Sequence, residues 1–64
     1  MFNNLLKELK AKNITRRELA EKLGVTERVI YYKLSGTTEF TAAEMFKIKG
    51  KIFPNETLEY LFKK

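Results

Sequence analysis

The stretch LGVTERVIYYKLSG, from Leu23 to Gly36, decides the fold. Near its start stands Gly24, and a glycine can turn the backbone sharply because it has no Cβ. Thr26 follows, and threonine is a preferred residue at the N-terminus of a helix. Two helices joined by so short a turn must cross at a large angle. The stretch therefore predicts a helix-turn-helix.

The helix after this turn, expected over residues 27–35, has one apolar side. Ile30 and Leu34 lie four positions apart and predict the buried face. Because residues advance by about 100° per position, the opposite face is exposed. That outward face carries Arg28, Tyr32 and Ser35, flanked by Tyr31 and Val29.

Similar helix-start signals occur on both sides of this stretch. Thr15 with Glu18, and Thr41 with Glu44, fit the capping box, in which two side chains bond each other's backbone N–H groups. Together with the apolar periodicity, these signals predict an all-α fold. We expect one domain over residues 1–64, with helices at about 3–12, 16–23, 27–35, 42–52 and 56–62.

The fourth predicted helix has apolar residues on two neighbouring stripes. One stripe contains Met45, Ile48 and Ile52, and the other contains Phe46 and Phe53. A helix that is apolar over so wide an arc is expected to be the central buried one.

The last predicted helix follows Pro54, which stops the preceding helix, and Asn55, which can cap the new one. It is too short to be stable alone. Either it docks on the first and fourth helices, or it forms a dimer contact through Leu58, Tyr60 and Phe62.

Composition limits the possible functions. The chain contains no cysteine, histidine or aspartate, so zinc sites, thiol chemistry and most catalytic triads are excluded. We therefore expect no enzyme activity, metal or cofactor. The absence of a signal peptide and of an apolar run of about 18 residues predicts a cytoplasmic protein with no membrane span.

The charge balance is basic, with 13 Lys and Arg against 8 Glu and a formal charge of +5. This favours an anionic partner such as nucleic acid or a membrane surface, although solubility alone also explains it.

Most helical cations have a glutamate three or four positions away, but Arg16, Arg28 and Lys33 do not. Singly, each is most simply a solvated residue. Together on one helix pair, they favour phosphate as the missing anion. The expected pairs are Lys12 with Glu8, Arg17 with Glu21, Lys22 with Glu18, and Lys47 with Glu44.

The segment TRRELAEKLGVTERVIYYKLSG, residues 15–36, resembles the Cro and C1-repressor family of phage and bacterial helix-turn-helix proteins. The resemblance extends over about residues 3–62, and the segments GTTEFTAAEMFKIKGKIFP and LEYLF resemble very small phage regulators. It implies a compact five-helix, lambda-repressor-like fold. It also implies a transcriptional regulator in a bacterial cytoplasm or nucleoid that binds double-stranded operator DNA, with homodimers at least on DNA.

Carried over by position, the resemblance implies two sets of DNA contacts. Expected base-reading residues are Thr26, Glu27, Arg28, Val29 and Tyr32. Expected phosphate contacts are Arg16, Arg17, Tyr31, Lys33, Ser35, Gly36, Thr37 and Thr38.

Several of these positions depart from the family pattern. The family often has glutamine where this chain has Arg16, Glu27 and Arg28, so contacts of glutamine to adenine cannot be assumed. Arg28 suits guanine O6 and N7, whereas Glu27 suits cytosine N4 but repels phosphate. Lys33 replaces a commonly apolar residue and is expected to extend toward a phosphate.

A second interpretation keeps the fold without the DNA function. The Tyr31 and Tyr32 face then binds a protein, as in an antirepressor that binds a partner repressor, and Glu27 favours this reading. If the 64 residues are the whole chain, a separate dimerisation or self-cleavage domain has no room. A Cro-like or antirepressor role then fits best, but a piece of a longer repressor would look the same.

Overall fold

A computed structural model describes residues 2–63, which contain five α-helices and no strand. The all-α prediction is confirmed. Predicted and observed helix bounds agree for α2 and α3, whereas α1 and α4 each end one residue earlier than expected. The helices are α1 (Asn3–Ala11), α2 (Arg16–Leu23), α3 (Glu27–Ser35), α4 (Ala42–Lys51) and α5 (Leu58–Leu61).

Both predicted capping boxes are present. The backbone N–H of Glu18 donates to Thr15 Oγ1 at 3.1 Å, and the N–H of Thr15 donates to the Glu18 carboxylate at 3.1 Å. Thr41 and Glu44 make the same pair of bonds at 2.8 and 3.1 Å. Thr26 caps α3 by accepting from the N–H of Val29 at 3.2 Å. These bonds satisfy N–H groups that a helix start leaves without internal partners.

The first three helices all end in the same left-handed turn. Asn13, Gly24 and Gly36 have φ values of 57°, 73° and 89°. In each turn, the N–H of the following residue bonds a carbonyl five residues back. Val25, for example, donates to Ala20 at 3.0 Å. This is the Schellman arrangement, and it fixes how α2 leads into α3.

The core draws on all five helices and is a single cluster. Its fully buried side chains include Leu5, Leu19, Ile30, Ile48, Phe53 and Leu61. In α4, however, Phe46 is 62% exposed and Ile48 is the buried residue. The expectation that α4 buries both stripes is therefore wrong for Phe46. Two helical positions correspond to about 200°, so Ile48 facing the core turns Phe46 toward solvent.

Helix α5 is shorter than predicted and begins at Leu58. Asn55 does not cap it; Thr57 does, by accepting from the N–H of Tyr60 at 3.1 Å. The intervening residues form a turn in which the N–H of Glu56 bonds the carbonyl of Phe53 at 3.1 Å. The cap must directly precede the helix, and this turn delays the helix start.

Of the two roles considered for α5, the structure shows docking within the chain. Asn4 donates to the carbonyl of Tyr60 at 2.9 Å, and the Tyr60 hydroxyl donates to the Glu8 carboxylate at 2.8 Å. The bond to Glu8 favours the neutral phenol and raises the pKa of Tyr60 above its usual 10.0. The rings of Phe62 and Phe2 pack edge to face at 5.9 Å.

In the described part of the chain, no helix has the length and apolarity that a membrane crossing requires.

The two glycines in open surroundings provide a matched test of the turn. A Cβ built on either Gly24 or Gly50 meets nothing within 4 Å, but only Gly24 has a positive φ. We expect Gly24→Ala to lower the free energy of unfolding by about 1–2 kcal/mol, because alanine is strained in the left-handed region. Gly50→Ala should raise it by about 0.5–1 kcal/mol. Urea denaturation measures both changes, and equal effects at the two positions would contradict the role given to the turn.

Candidate nucleic-acid interface

Helix α3 presents a partly aromatic face to solvent. Ile30 and Leu34 are buried, as the spacing predicted. Val29, Tyr31 and Tyr32 are 37%, 50% and 36% exposed. The remaining outward residues are Glu27 and Arg28, which are exposed, and Ser35, which is half-buried.

Two arginines and two tyrosines form a continuous stacked group on this face, here called the Arg–Tyr cluster. The guanidinium carbon of Arg16 lies 5.2 Å from the ring centre of Tyr31, and that of Arg28 lies 5.9 Å from the ring centre of Tyr32. The two rings contact each other edge to face at 5.6 Å. With Glu27, these side chains line an open depression of about 520 Å³. The cluster joins the start of α2 to the exposed face of α3.

Among the described residues, neither arginine of the Arg–Tyr cluster has a carboxylate within ion-pair distance. Between residues 2 and 63, ion pairs within 4.0 Å join Arg17 to Glu21 and Lys33 to Glu44, and neither includes Arg16 or Arg28. Both arginines also lie in first helical turns, where the helix dipole disfavours a cation. The aromatic faces offset part of this cost, since guanidinium groups are attracted to ring faces.

The turn after α3 has already used its backbone donors. The N–H groups of Thr37 and Thr38 donate to the carbonyl of Tyr32 at 2.9 and 3.3 Å, and that of Gly36 donates to Lys33 at 3.2 Å. Ser35 Oγ donates to the same Tyr32 carbonyl at 3.0 Å. Thr37 Oγ1 in turn bonds Ser35 Oγ at 3.0 Å. The exposed hydroxyl of Thr38 makes no such bond within the described residues and is placed to meet an outside anion.

A helix-turn-helix family model of the XRE/Cro/C1 type matches residues 5–48. The chain belongs to this family. The matched region runs from α1 into α4 and includes the whole Arg–Tyr cluster and the turn after α3. Its members are DNA-binding regulators. Neither the curated proteins nor the solved structures contained a match.

Lys33 in this helix-turn-helix protein does not extend toward solvent as expected. Its Nζ lies 2.8 Å from Glu44 Oε1, donates to the carbonyl of Glu39 at 3.0 Å and lies 5.8 Å from the Phe40 ring centre. Its side chain is 11% exposed. The expectation that Lys33 lacks a carboxylate partner is therefore wrong. The partner lies 11 residues away, beyond the reach of a same-helix search.

The helical charge pairing was also largely mispredicted. Of the four expected pairs, only Arg17 with Glu21 is within ion-pair distance in the described residues, at 3.5 Å and well exposed. The other glutamates bind elsewhere: Glu8 binds the Tyr60 hydroxyl, Glu18 caps α2, and Glu44 caps α4 and binds Lys33. Stacking on tyrosine, rather than lack of a pairing partner, therefore distinguishes Arg16 and Arg28 from the other cations.

The surroundings of Glu44 have opposing effects on its titration. Burial raises the pKa of this carboxyl, but hydrogen bonds from Lys33 and Thr41, together with the charge of Lys33, lower it by a larger amount. The pKa of Glu44 therefore lies below its usual 4.5. Because the folded-state pKa is the lower one, this carboxylate stabilises the fold above the unfolded-state value. That stabilisation is lost as the pH falls through the folded-state value.

We expect Lys33→Met to raise the pKa of Glu44, because burial remains while the contribution of the lysine disappears. A carbon-detected NMR titration of the Glu44 carboxyl measures this shift. Lys22→Met, which removes an exposed lysine, is the control and should leave the titration as in the unsubstituted protein. An unchanged Glu44 titration in Lys33→Met would contradict the ion pair.

Proposed function

We propose that this protein is a Cro- or repressor-like transcriptional regulator that binds operator DNA sequence-specifically through α3. Bound there, it blocks polymerase or a competing regulator. The observation that carries this proposal is the Arg–Tyr cluster, in which two guanidinium groups lie over tyrosine rings on the exposed side of a helix-turn-helix. The major groove of B-DNA accepts an α-helix, and the first residues of such a helix reach the base edges.

Arg28 is the main base-reading residue in this proposal. Its guanidinium carbon lies 5.9 Å from the ring centre of Tyr32, where the ring face attracts the cation. The guanidinium N–H groups make no hydrogen bond within the described residues and stay available for guanine O6 and N7. Tyr32 thus restricts Arg28 without using its donors, which lowers the entropy cost of binding.

The other base-reading positions surround Arg28 at the start of α3. Exposed Glu27 suits a cytosine N4 donor, and Val29 suits a thymine methyl. Thr26 Oγ1 accepts from the helix, so its hydroxyl hydrogen remains for a DNA acceptor. An operator half-site rich in G·C pairs, with one thymine contact, fits this set.

Phosphate contacts in the proposal lie on either side of the base-reading positions. Arg16 begins α2, where exposed backbone N–H groups also attract an anion, and Tyr31 supports its guanidinium. Arg17 is 80% exposed, and its 3.5 Å pairing with Glu21 is easily exchanged for a phosphate. On the far side, Thr37 and Thr38 supply hydroxyls. Lys33 is left out of this set because Glu44 neutralises it.

The size of the domain favours dimers on DNA. Its largest dimension is 26 Å, whereas successive half-sites on one face of the duplex lie about 34–36 Å apart. One copy therefore reads one half-site, and a symmetric operator needs two. Phe46, 62% exposed on α4, is an apolar side chain available for contact between copies, whereas Phe62 packs on Phe2 and Phe40.

Sedimentation with defined duplexes tests the dimer. We expect two protein copies on a duplex whose two half-sites are one helical turn apart, and one copy on a duplex with a single half-site. Changing the spacing by half a turn should abolish joint binding, because the half-sites then face opposite sides. Equal loading at both spacings would count against a symmetric dimer.

Two arginine substitutions test the DNA contacts. Arg28→Ala should cost about 1–3 kcal/mol on the selected operator and relax preference at the guanine position. Arg16→Ala should weaken all sequences about equally and reduce the slope of log K against log salt by about 0.9. Fluorescence anisotropy with selected and scrambled duplexes measures both. Lys47→Ala removes one charge from an exposed position outside the cluster and is the control.

The alternative function is a protein-interaction module, such as an antirepressor that binds a partner repressor. The exposed Val29, Tyr31 and Tyr32 favour it, since exposed aromatic groups are common in interfaces. It predicts a pull-down partner whose binding changes little with salt, no motif enriched from random duplexes, and no effect of either arginine substitution on DNA. That combination of results would overturn the DNA proposal.

A further inference from the structure

Lys33 connects α3 to the segment that follows it. Its ammonium group contacts the carboxylate of Glu44 at 2.8 Å and the backbone carbonyl of Glu39 at 3.0 Å. The same group lies 5.8 Å from the ring centre of Phe40, a core residue. Three contacts from one buried side chain therefore fix the end of α3 relative to residues 39–44.

Glu44 uses a single carboxylate oxygen for two tasks. Oε1 accepts from the backbone N–H of Thr41 at 2.8 Å, which closes the capping box of α4, and from Lys33 Nζ at 2.8 Å. The start of α4 is thus tied directly to α3. Residues 36–41 connect the two helices, and both ends of this loop are held.

The loop held in this way carries two of the proposed phosphate contacts. Thr37 and Thr38 are tied to α3 through the Tyr32 carbonyl, and both are exposed. Thr37 Oγ1 also bonds Ser35 Oγ at 3.0 Å, so a phosphate contact there exchanges one exposed hydrogen bond for another. The lysine itself is 11% exposed and already paired. A direct contact of Lys33 to phosphate would require breaking the bond to Glu44.

We propose that the Lys33–Glu44 ion pair is a positioning element that holds the 36–41 loop so that Thr37 and Thr38 meet a DNA phosphate. This inference rests on the proposed DNA-binding function. Lys33 then contributes to DNA affinity through the loop and not through its own charge. Well-paired interior charges often fix geometry more than they add stability.

The decisive variant is Glu44→Gln. It should lower DNA affinity if Lys33 positions the loop and raise it if Lys33 contacts phosphate directly. Glutamine keeps an oxygen for the capping box but loses the ionic bond. If the pair positions the loop, affinity for the selected operator should fall about tenfold, as when one or two neutral hydrogen bonds are lost. If Lys33 contacts phosphate directly, its release should raise affinity.

Glu18→Gln is the matched control. Glu18 occupies the same capping-box position at the start of α2, but its carboxylate bonds only Thr15 within the described chain. Both substitutions remove one negative charge, so the general electrostatic effect of each on DNA binding is favourable. Glu18→Gln should therefore bind as tightly as the unsubstituted protein or tighter. Circular dichroism confirms that both variants are folded at the assay temperature.

Amide hydrogen exchange in the loop, compared with exchange in the core, detects a local change that a general loss of stability would not produce. In Glu44→Gln, exchange at Thr37 and Thr38 should accelerate relative to the core amides, whereas Glu18→Gln should leave it unchanged. Undiminished DNA affinity in a folded Glu44→Gln variant would overturn the inference. The DNA-binding proposal itself would fail separately, through Arg16→Ala and Arg28→Ala variants that bind like the unsubstituted protein.

Lys33→Met extends the test if Glu44→Gln does not fold. Methionine keeps an apolar stem against Phe40, and the positioning role predicts about tenfold weaker binding with an unchanged salt slope. The lost contacts are neutral hydroxyls, which release no counterions of their own. A slope reduced by about 0.9 would instead show that Lys33 neutralises a phosphate, and would overturn the inference.

Discussion

The arrangement of the exposed face depends on the left-handed turn at Gly24. Its φ of 73° and the bond from Val25 to Ala20 bring α3 off the end of α2 at a fixed angle. Because of that crossing, Arg16 at the start of α2 meets Tyr31 on α3 at 5.2 Å. The stacked arginine is thus a consequence of the turn. Without it, the basic residues of the two helices would not form one surface.

The parts of the fold that the sequence predicted are local. A capping box connects residues three apart, and the left-handed helix ends connect residues within five positions, so each is visible in a short window. What the sequence did not reveal lies farther apart along the chain. The bond from Tyr60 to Glu8 spans 52 residues and decides how α5 docks. The exposure of Phe46 likewise depends on which side of α4 the rest of the core covers.

The candidate site likewise contains local features that the sequence predicted and contacts between helices that it did not. Helical spacing alone predicted that Arg28 and Tyr32 face outward, and their four-residue separation brings them together on one helix. The stacking of Arg16 on Tyr31 joins two helices and had no such signal. Glu18 and Glu44 do not pair with their helical neighbours Lys22 and Lys47, because helix-start N–H groups compete for the same carboxylates.

The use of an ion pair rather than an apolar contact at Lys33 has a physical reason. An apolar side chain there would pack against Phe40 in several similar orientations, whereas an ammonium group requires its acceptors at defined distances and directions. A domain of 64 residues has a small core and few contacts with which to fix a loop. Replacing such a pair by apolar residues of similar volume is often neutral for stability, but it removes the defined geometry of the ion pair. Under the proposed function, the 36–41 loop must match the spacing of a phosphate backbone, which requires that geometry more than additional stability.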